Sequence, residues 1–354
     1  HPKNFNKTYE GAVPARECLT RSLNIPMVYL LQQYGAEKFR HTLQQAGFDY
    51  VKGTQGHYGL SLILGGAEVS LAQLNRAYTA FALYLMGRQP LPDVLNGNGE
   101  ILHPASLHRA ALYTTFQAMQ ELNRPDEEGN WRLFESAQPI AWKTGTSFGN
   151  RDAWAVGITP RYVVSVWVGN ASGEGRPSLT GIKAAAPLLF ELFSRLPHSA
   201  NWFSKPEEEY TRIAVCHESG YRAGEFCLHP DTLLMPQSCL RVMACPYHRQ
   251  VFVDAAKKMR LQAEDSEPGT MTATSYFVLP PLMQKYYLPR HPEYQPLPPF
   301  KHPAPHRHDI QIIYPKPGSR IYIPVEGDGH PGKFVAEAVC SHPGDVLYWH
   351  IDDE

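Results

Sequence analysis

The sequence has neither a strong charge imbalance nor a long hydrophobic run, and each absence excludes a class of partner. The 33 lysines and arginines nearly balance the 34 aspartates and glutamates, which leaves a formal net charge of −1. This balance argues against a nucleic acid or an anionic membrane surface recognised by charge. No stretch reaches the roughly 18 to 20 consecutive apolar residues that a membrane-spanning helix needs. With 354 residues, 43% of them hydrophobic, the chain can bury the cores of about two or three domains.

The most informative stretch is 142–147, with the sequence WKTGTS. Its surroundings predict a β-hairpin, with a strand over 139–143, turn residues at 148–151 and a returning strand over 153–157. The β-branched and aromatic residues of 161–170 predict the next strand of an antiparallel meander. A lysine and hydroxyl groups around a glycine at a strand edge can bind a carboxylate, an extended peptide or an oxyanion. A polar turn without chemistry is the structural alternative.

Two motifs that follow one another in the chain indicate a function for this stretch. Lys-Thr-Gly on a strand is one of three signatures of the penicillin-recognising serine acyltransferases, and Ser22-Leu23-Asn24 upstream matches the second, Ser-x-Asn. Taken alone, that tripeptide is equally consistent with a helix cap. With segments 59–66 and 74–78, the motifs resemble the transpeptidase domain of bifunctional, class A penicillin-binding proteins. The resemblance implies an α+β fold like that of the serine β-lactamases, with an antiparallel sheet flanked by helices.

The third signature, Ser-x-x-Lys, is missing from the sequence, because no lysine has a serine three positions before it. Thr180-Gly181-Ile182-Lys183 comes nearest, but it follows the Lys-Thr-Gly strand, which is the wrong order. In the family the nucleophilic serine precedes Ser-x-Asn. We therefore expect it to lie before His1, and we expect this chain to be inactive on its own.

The resemblance also implies a role for each matching residue. Ser22 would relay a proton toward the leaving amine, Asn24 would hydrogen-bond the peptide backbone of the substrate, and Lys143 would attract its terminal carboxylate. The backbone N–H of Thr146 would form part of an oxyanion hole. The implied substrate-binding residues are Thr144, Gly145, Thr146 and Ser147. Asp152 and Trp154 are expected to brace the hairpin.

The implied function is that of a D,D-transpeptidase that cross-links peptidoglycan through a serine acyl-enzyme. Its partners would be stem peptides and β-lactams, with other cell-wall synthesis proteins possible at the C-terminal region and no nucleic acid. The parent protein would be a glycosyltransferase and transpeptidase in the periplasm, anchored in the bacterial inner membrane. Two alternatives are a D,D-carboxypeptidase or β-lactamase-like hydrolase, and a non-catalytic penicillin-binding scaffold module.

Cysteine is scarce, but four of the six cysteines are close in sequence: Cys216, Cys227, Cys239 and Cys245. Because the substrate of such a protein lies outside the cytoplasm, we expect two disulfides, and pairing in sequence order closes the shortest loops. Zinc is the rival, although no Cys-x-x-Cys pair is present, because three histidines lie in the same stretch: His217, His229 and His248. Structural thiols are the third reading. The preferred assignment contains no metal and no cofactor.

The composition divides the chain into three parts. Residues 1–197 are the predicted transpeptidase domain, with a helix over 36–46, a helix capped by Ser70 and ending at Met86, and others over 106–122 and 184–196. Residues 198–308 form a cysteine-containing connector that ends in a linker rich in proline and histidine. Residues 309–354 are predicted to be the start of a truncated β-sandwich, because they contain four short strand-like runs: 310–314, 321–325, 333–340 and 346–351.

Overall fold

The structure is a computed structural model. It describes the following residues: 4, 9–48, 50–51, 57–88, 107–122, 138–262, 271–302, 310–316, 318–319, 321–322, 334–340, 347 and 349. The chain divides into two compact units. The first unit comprises His1–Thr8, Pro14–Ile213 and Leu234–Arg241, and the second comprises Tyr9–Val13, Ala214–Leu233 and Val242–Glu354.

The first unit contains six α-helices within its described residues. Their bounds are α1 Ala15–Thr20, α2 Asn24–Tyr34, α3 Ala36–Gln45, α4 Leu71–Leu85, α5 Arg109–Met119 and α6 Ala186–Ser194. The predicted helices over 36–46, 71–86 and 184–196 are confirmed to within a few residues. The fourth begins at Arg109, with His108 at its N-cap, while the predicted cap Ser106 lies outside the described residues.

The helices flank a three-stranded antiparallel sheet in the order β1-β2-β3, which confirms the predicted α+β class and meander. The strands are β1 Ala141–Thr146, β2 Asp152–Ile158 and β3 Val163–Gly169. Lys143 lies opposite Val156, and Gly145 lies opposite Trp154. Strand β1 continues three residues beyond the predicted end at Lys143, so the whole Lys-Thr-Gly motif lies on the strand.

One large apolar core holds the sheet to the helices. Trp142 of β1 is 1% exposed and packs edge-to-face on Phe190 of α6, with 5.0 Å between the ring centroids. Leu189 of the same helix is completely buried, and Phe193 lies so close to Gly157 that a Cβ there would be 2.5 Å from its ring. Burial of these aromatic and aliphatic groups is the main favourable term in the stability of this unit.

Polar contacts fix α4 against the sheet. Ser70 forms a capping box with Gln73, in which each side chain accepts a hydrogen bond from the backbone N–H of the other residue. The Asn75 amide donates to the carbonyl of Val163 at 3.2 Å and to the Ser165 hydroxyl at 3.1 Å. These bonds connect the helix to β3 across 88 and 90 positions of sequence.

Short strands dominate the rest of the chain. The bounds are β4 Tyr210–Cys216, β5 Pro230–Pro236, β6 His248–Val253, β7 Thr272–Phe277, α7 Pro281–Tyr287, β8 Ile310–Tyr314 and β9 Glu337–Cys340. They pair as β4-β5, β6-β7 and β8-β9. The predicted strand at 310–314 is confirmed, and β8 pairs antiparallel with β9. The strand-like run at 346–351 lies mostly outside the described residues, so the truncated β-sandwich stays a prediction.

Among the residues that the structure describes, fewer apolar side chains are buried in the second unit than in the first. Within the described residues, buried apolar side chains pack together in two clusters. Both clusters lie in the first unit. The buried apolar residues of the second unit that are not cysteines are Val215, Val253, Leu261, Leu279 and Tyr294. Among the described helices of either unit, none has the length and apolar character needed to cross a bilayer.

Candidate functional site

The structure brings two of the predicted catalytic residues into contact. The Lys143 ammonium on β1 donates a hydrogen bond to the hydroxyl of Ser22, which is 121 positions away in the sequence. It also donates to the carbonyl of Thr144 at 2.9 Å. The cation is therefore held at one end of the Lys-Thr-Gly motif, with the Ser22 hydroxyl as its partner from the helical layer.

Ser22 is presented by a strained connection between α1 and α2. Its φ of 53° is in the left-handed region, which costs a residue with a Cβ about 1 to 2 kcal/mol. Backbone bonds hold this conformation, because the N–H of Ser22 donates to Leu19 at 3.2 Å and the N–H of Leu23 donates to Cys18 at 3.0 Å. Leu23, the middle residue of Ser-x-Asn, is buried and anchors the connection. Strain of this kind is typical of functional positions.

Asn24, the third predicted catalytic residue, is the first residue of α2 and is partly buried. It therefore lies at the start of α2, two residues after Ser22, which lies on the connection between α1 and α2. Its contact with a substrate backbone stays a prediction.

Burial changes the acid–base behaviour of Lys143. Desolvation lowers the pKa of its ammonium to about 8, because a charged group loses water contacts in this pocket. A lysine with such a pKa is mostly protonated at neutral pH and yet is able to lose its proton in mildly alkaline solution. This property suits a group that attracts an anion and takes part in proton transfer.

The three residues after Lys143 are supported by a turn that precedes α6. Gly181 begins this turn, Gly181–Ala185, and its N–H donates to the Thr146 hydroxyl at 3.0 Å. A Cβ on Gly181 would lie 2.5 Å from the carbonyl oxygen of Gly145 and 2.8 Å from the Cβ of Thr144. Only glycine lets the turn approach β1 this closely. Sequence reasoning did not single out Gly181, although it forms part of the segment Thr180-Gly181-Ile182-Lys183 noted above.

Gly145 itself is under no such constraint from the protein. A Cβ at this position would be in ordinary contact with the Trp154 side chain, at 3.6 Å. Gly145 is exposed on the motif strand. Any requirement for glycine at this position would therefore come from a bound molecule.

Ser147 and Asp152 close the hairpin. The Ser147 hydroxyl accepts the Asp152 N–H at 2.8 Å, and the Asp152 carboxylate accepts the indole N–H of Trp167 at 2.9 Å. Trp154 packs beside Trp167, with 6.3 Å between the ring centroids. The side chains of Asp152 and Trp154 thus connect β2 to Trp167 of β3, whereas a brace of the hairpin by these residues and a substrate contact by Ser147 stay predictions.

Strand β1 lies at one edge of the described sheet and pairs with β2 alone among the described strands. An edge strand offers backbone N–H and C=O groups to an extended chain that lies alongside it. Lys143 and the hydroxyls of Thr144 and Thr146 lie on this strand. The arrangement can hold an extended peptide and place a cation close to its terminal carboxylate.

Two penicillin-binding proteins are similar to parts of this sequence. Penicillin-binding protein 1C of Escherichia coli strain K12 is 34% identical over 254 residues, which is 67% of this chain and 32% of that protein. Penicillin-binding protein 1B of Vibrio cholerae is 30% identical over 201 residues, or 52% of this chain and 24% of that protein. The chain is related to the penicillin-binding proteins. It spans about a quarter to a third of the length of these relatives.

Two further comparisons complete this result. The solved structure of penicillin-binding protein 1A from Haemophilus influenzae superposes with a TM-score of 0.48 at 19% identity, covering 66% of this chain and 42% of that chain. No protein-family model matches the chain. The relationship to penicillin-binding proteins therefore depends on the sequence matches, and the site residues keep the roles predicted for them.

The two expected disulfides stay a prediction in this relative of the penicillin-binding proteins. The structure bonds neither Cys216 with Cys227 nor Cys239 with Cys245. Instead the thiols of Cys216, Cys227 and Cys245 converge on the imidazole of His248, and Cys239 is not in this group. The signal for the fourth member was the Cys245-x-x-His248 spacing, which a search for Cys-x-x-Cys does not find.

Proposed function

We propose that the first unit is the Lys-Thr-Gly half of a D,D-transpeptidase cleft that cross-links peptidoglycan stem peptides and binds β-lactams. The observation that carries the proposal is the hydrogen bond between Lys143 of the Lys-Thr-Gly strand and Ser22 of Ser-x-Asn. Two motifs 121 positions apart meet only if the fold selects that contact. The relationship to penicillin-binding proteins supports the same conclusion.

The chemistry of the strand matches an extended peptide that ends in a carboxylate. Backbone groups of β1 would pair with the peptide, and the Lys143 ammonium would attract its terminal carboxylate. A β-lactam that carries a carboxylate offers the same anion, so both classes of ligand would compete for this strand. Thr144 and Thr146 supply hydroxyls on the same strand.

Ser22 is placed to move a proton. Its oxygen accepts a hydrogen bond from Lys143, which leaves its own O–H able to donate to the leaving amine of the donor peptide. Lys143, with its pKa lowered to about 8 by burial, can return a proton to the Ser22 oxygen. The two residues thus form a relay on the leaving-group side of the reaction.

The serine that forms the acyl-enzyme would come from a Ser-x-x-Lys motif, which no lysine of this sequence matches. That serine attacks the carbonyl of the donor peptide, and the amino group of a second stem peptide then releases the product. The reaction would take place in the periplasm. Contacts of the C-terminal region with other cell-wall synthesis proteins stay a prediction.

Covalent labelling by a fluorescent penicillin tests the proposal. We expect no label on this chain and a strong label on the parent sequence extended through the next upstream Ser-x-x-Lys. In the extended protein, Lys143→Ala should slow acylation about 10- to 100-fold, because removing a charge-assisted hydrogen bond costs about 1.5 to 3 kcal/mol. Lys183→Ala is the matched control, because Lys183 is an exposed lysine on the neighbouring turn.

The outcome that would contradict the proposal is a folded extended protein that takes no label, or equal effects of the two lysine variants. Product analysis then separates transfer from hydrolysis. A transpeptidase forms a new peptide bond with an added amino acceptor, whereas a carboxypeptidase or β-lactamase releases only the hydrolysed donor. The non-catalytic scaffold reading predicts neither product.

A further inference from the structure

The second unit contains a cluster of metal-binding side chains that the proposed reaction does not use. Sulfur atoms of Cys216, Cys227 and Cys245 and a ring nitrogen of His248 all lie within 4.8 Å of one another. All four residues belong to the second unit. From the distances between these sulfur and nitrogen atoms, we propose that the four residues form a structural zinc site of the Cys3His type.

The distances fit a tetrahedral ion closely. Nδ1 of His248 lies 3.4 Å from the Cys216 sulfur and 3.5 Å from each of the Cys227 and Cys245 sulfurs. Zinc bonds of about 2.3 Å to sulfur and 2.0–2.1 Å to nitrogen, at tetrahedral angles, separate nitrogen from sulfur by about 3.5–3.6 Å. One nitrogen at nearly the same distance from three sulfurs therefore has the geometry of one corner of a zinc tetrahedron.

A disulfide explains this arrangement less well. It would join two of the three sulfurs at about 2.05 Å and leave the third thiol and the imidazole without a reason to converge. The His248 side chain is only 7% exposed, so its ring is committed to this cluster and not to solvent. Three thiolates with one imidazole in a closed tetrahedron are ligands that favour zinc.

The surroundings of the four ligands are also those of a built site. The Ser219 hydroxyl donates to the Cys245 sulfur at 3.2 Å, and the Gly224 N–H donates to the Cys227 sulfur at 3.3 Å. Such donors offset the negative charge of thiolates. The other ring nitrogen of His248, Nε2, lies 3.6 Å from the Glu218 carboxylate, which would orient the ring for binding through Nδ1.

Backbone bonds bring the three ligand-bearing segments together. The N–H of Cys216 donates to Tyr221 at 2.8 Å, and the N–H of Cys245 donates to Arg222 at 2.8 Å. The Ser275 hydroxyl of β7 donates to Phe226 at 2.6 Å, next to Cys227. On binding, zinc would displace three thiol protons and leave a site with a formal charge of −1.

A zinc ion would stabilise the second unit, because few apolar side chains are buried in its described part. Units with little buried apolar surface commonly need a metal or a disulfide to stay folded. Here the ion would connect residues 32 positions apart, from Cys216 to His248, and hold the start of β6 against the end of β4. This inference is independent of the proposed transpeptidase function.

Metal analysis of the full chain is the first test. Purified under reducing conditions from zinc-supplemented medium, the protein should contain about one zinc per chain by plasma mass spectrometry. Cys227→Ser and His248→Gln should each lose most of this zinc. Cys239→Ser and His217→Gln are the matched controls and should keep it, since neither residue belongs to the cluster.

If the ligand variants fail to fold, two further measurements still test the zinc site. Ser219→Ala removes a hydrogen-bond donor and no ligand, and it should weaken zinc binding about 10-fold or more in a chelator competition. Cobalt added to the metal-free wild type should give the absorption of a tetrahedral thiolate complex. A metal-free native protein, a disulfide among the three cysteines after thiol labelling, or no cobalt spectrum would each overturn the proposal.

Discussion

The two units of this chain are stabilised in different ways. In the first, side chains such as Trp142 and Leu189 bury a large continuous apolar surface between a sheet and its helices. In the described part of the second, few apolar side chains are buried, and the thiols of three cysteines converge on His248. The comparison sets the apolar packing that holds the motif strand of the first unit against a proposed metal site that would stabilise the second.

The largest expected effect comes from removing metal from the second unit. With chelator, amide exchange at Cys216 and Cys245 should accelerate at least about 1,000-fold, because their backbone bonds depend on the bridged segments. The amides of β2 in the first unit should keep their protection. Hydrogen exchange followed by mass spectrometry measures both units together, and equal protection with and without chelator would remove the distinction between them.

The next test is a substitution in the apolar core of the first unit. Leu189→Ala should lower the free energy of unfolding of the first unit by about 2 to 5 kcal/mol, since the side chain is completely buried and leaves a cavity. Leu188→Ala on the same helix is the control, because its side chain is 45% exposed. Urea unfolding followed by circular dichroism measures the loss. The zinc content should be the same in both variants, and a loss of zinc on Leu189→Ala would show that the units are coupled.

A smaller effect is expected where the turn approaches the motif strand. Gly181→Ala should cost about 1 to 3 kcal/mol of stability, because its Cβ would overlap the backbone of Gly145 and Trp154. Gly145→Ala should cost well below that, since its Cβ meets only ordinary contacts. Thermal unfolding measures both variants. If Gly145→Ala were instead the more destabilising change, the Cβ position of Gly145 would not be open in the folded protein.

The acid–base prediction concerns ligand binding. Because burial lowers the pKa of Lys143 to about 8, the affinity for a D-alanyl-D-alanine peptide should fall above pH 8, by up to about tenfold per pH unit. Calorimetric titration across this range measures the fall. Lys143→Arg is the control, since arginine stays charged and its affinity should be flat over the same window.

The lowered pKa of Lys143 also makes the stability of the folded chain depend on pH. The unfolded lysine keeps its usual pKa of 10.5, so between pH 8 and 10.5 the unfolded chain binds more protons than the folded one. Lys143 therefore destabilises the fold below about pH 8, and this cost is relieved as the pH rises toward 10.5.

If the affinity for the peptide showed no dependence on pH in the wild type, Lys143 would not be the group that binds the carboxylate.

The smallest effect is at the start of α4. Ser70→Ala removes the side-chain partner of the Gln73 N–H and should cost about 1 kcal/mol in the first unit. Ser70→Asp should keep most of the stability, because aspartate caps a helix equally well. Urea unfolding can resolve this difference, and equal stability of the alanine variant and the wild type would show that packing alone sets this helix end.

Local patterns predicted much of the first unit. The period of apolar residues, the serine cap at position 70 and the turn residues at 148–151 predicted helices and hairpin strands that the structure contains. These features depend on neighbours a few positions apart, so a sequence reports them directly. The short strands of 210–277 were missed, because they lack a clear alternation of apolar and polar residues.

Contacts between distant positions were harder to predict. The order of the motifs suggested that Ser22 and Lys143 share a cleft, but neither the hydrogen bond nor the left-handed conformation of Ser22 can be read from residue types. Gly181 was overlooked because its importance lies in the approach of its backbone to β1. Loop length alone does not show which thiols meet, because the folding of the segment from β4 to β6 decides which of them converge.

The sequence by itself determined the hairpin that carries Lys-Thr-Gly, the main helices and the choice of family, since these follow from local propensity and motif order. The tertiary structure decided the partner of Lys143, its lowered pKa and the four side chains of the Cys3His cluster. The physical reason is that burial and convergence depend on how distant segments pack, and the side chains that meet are specified by the whole fold.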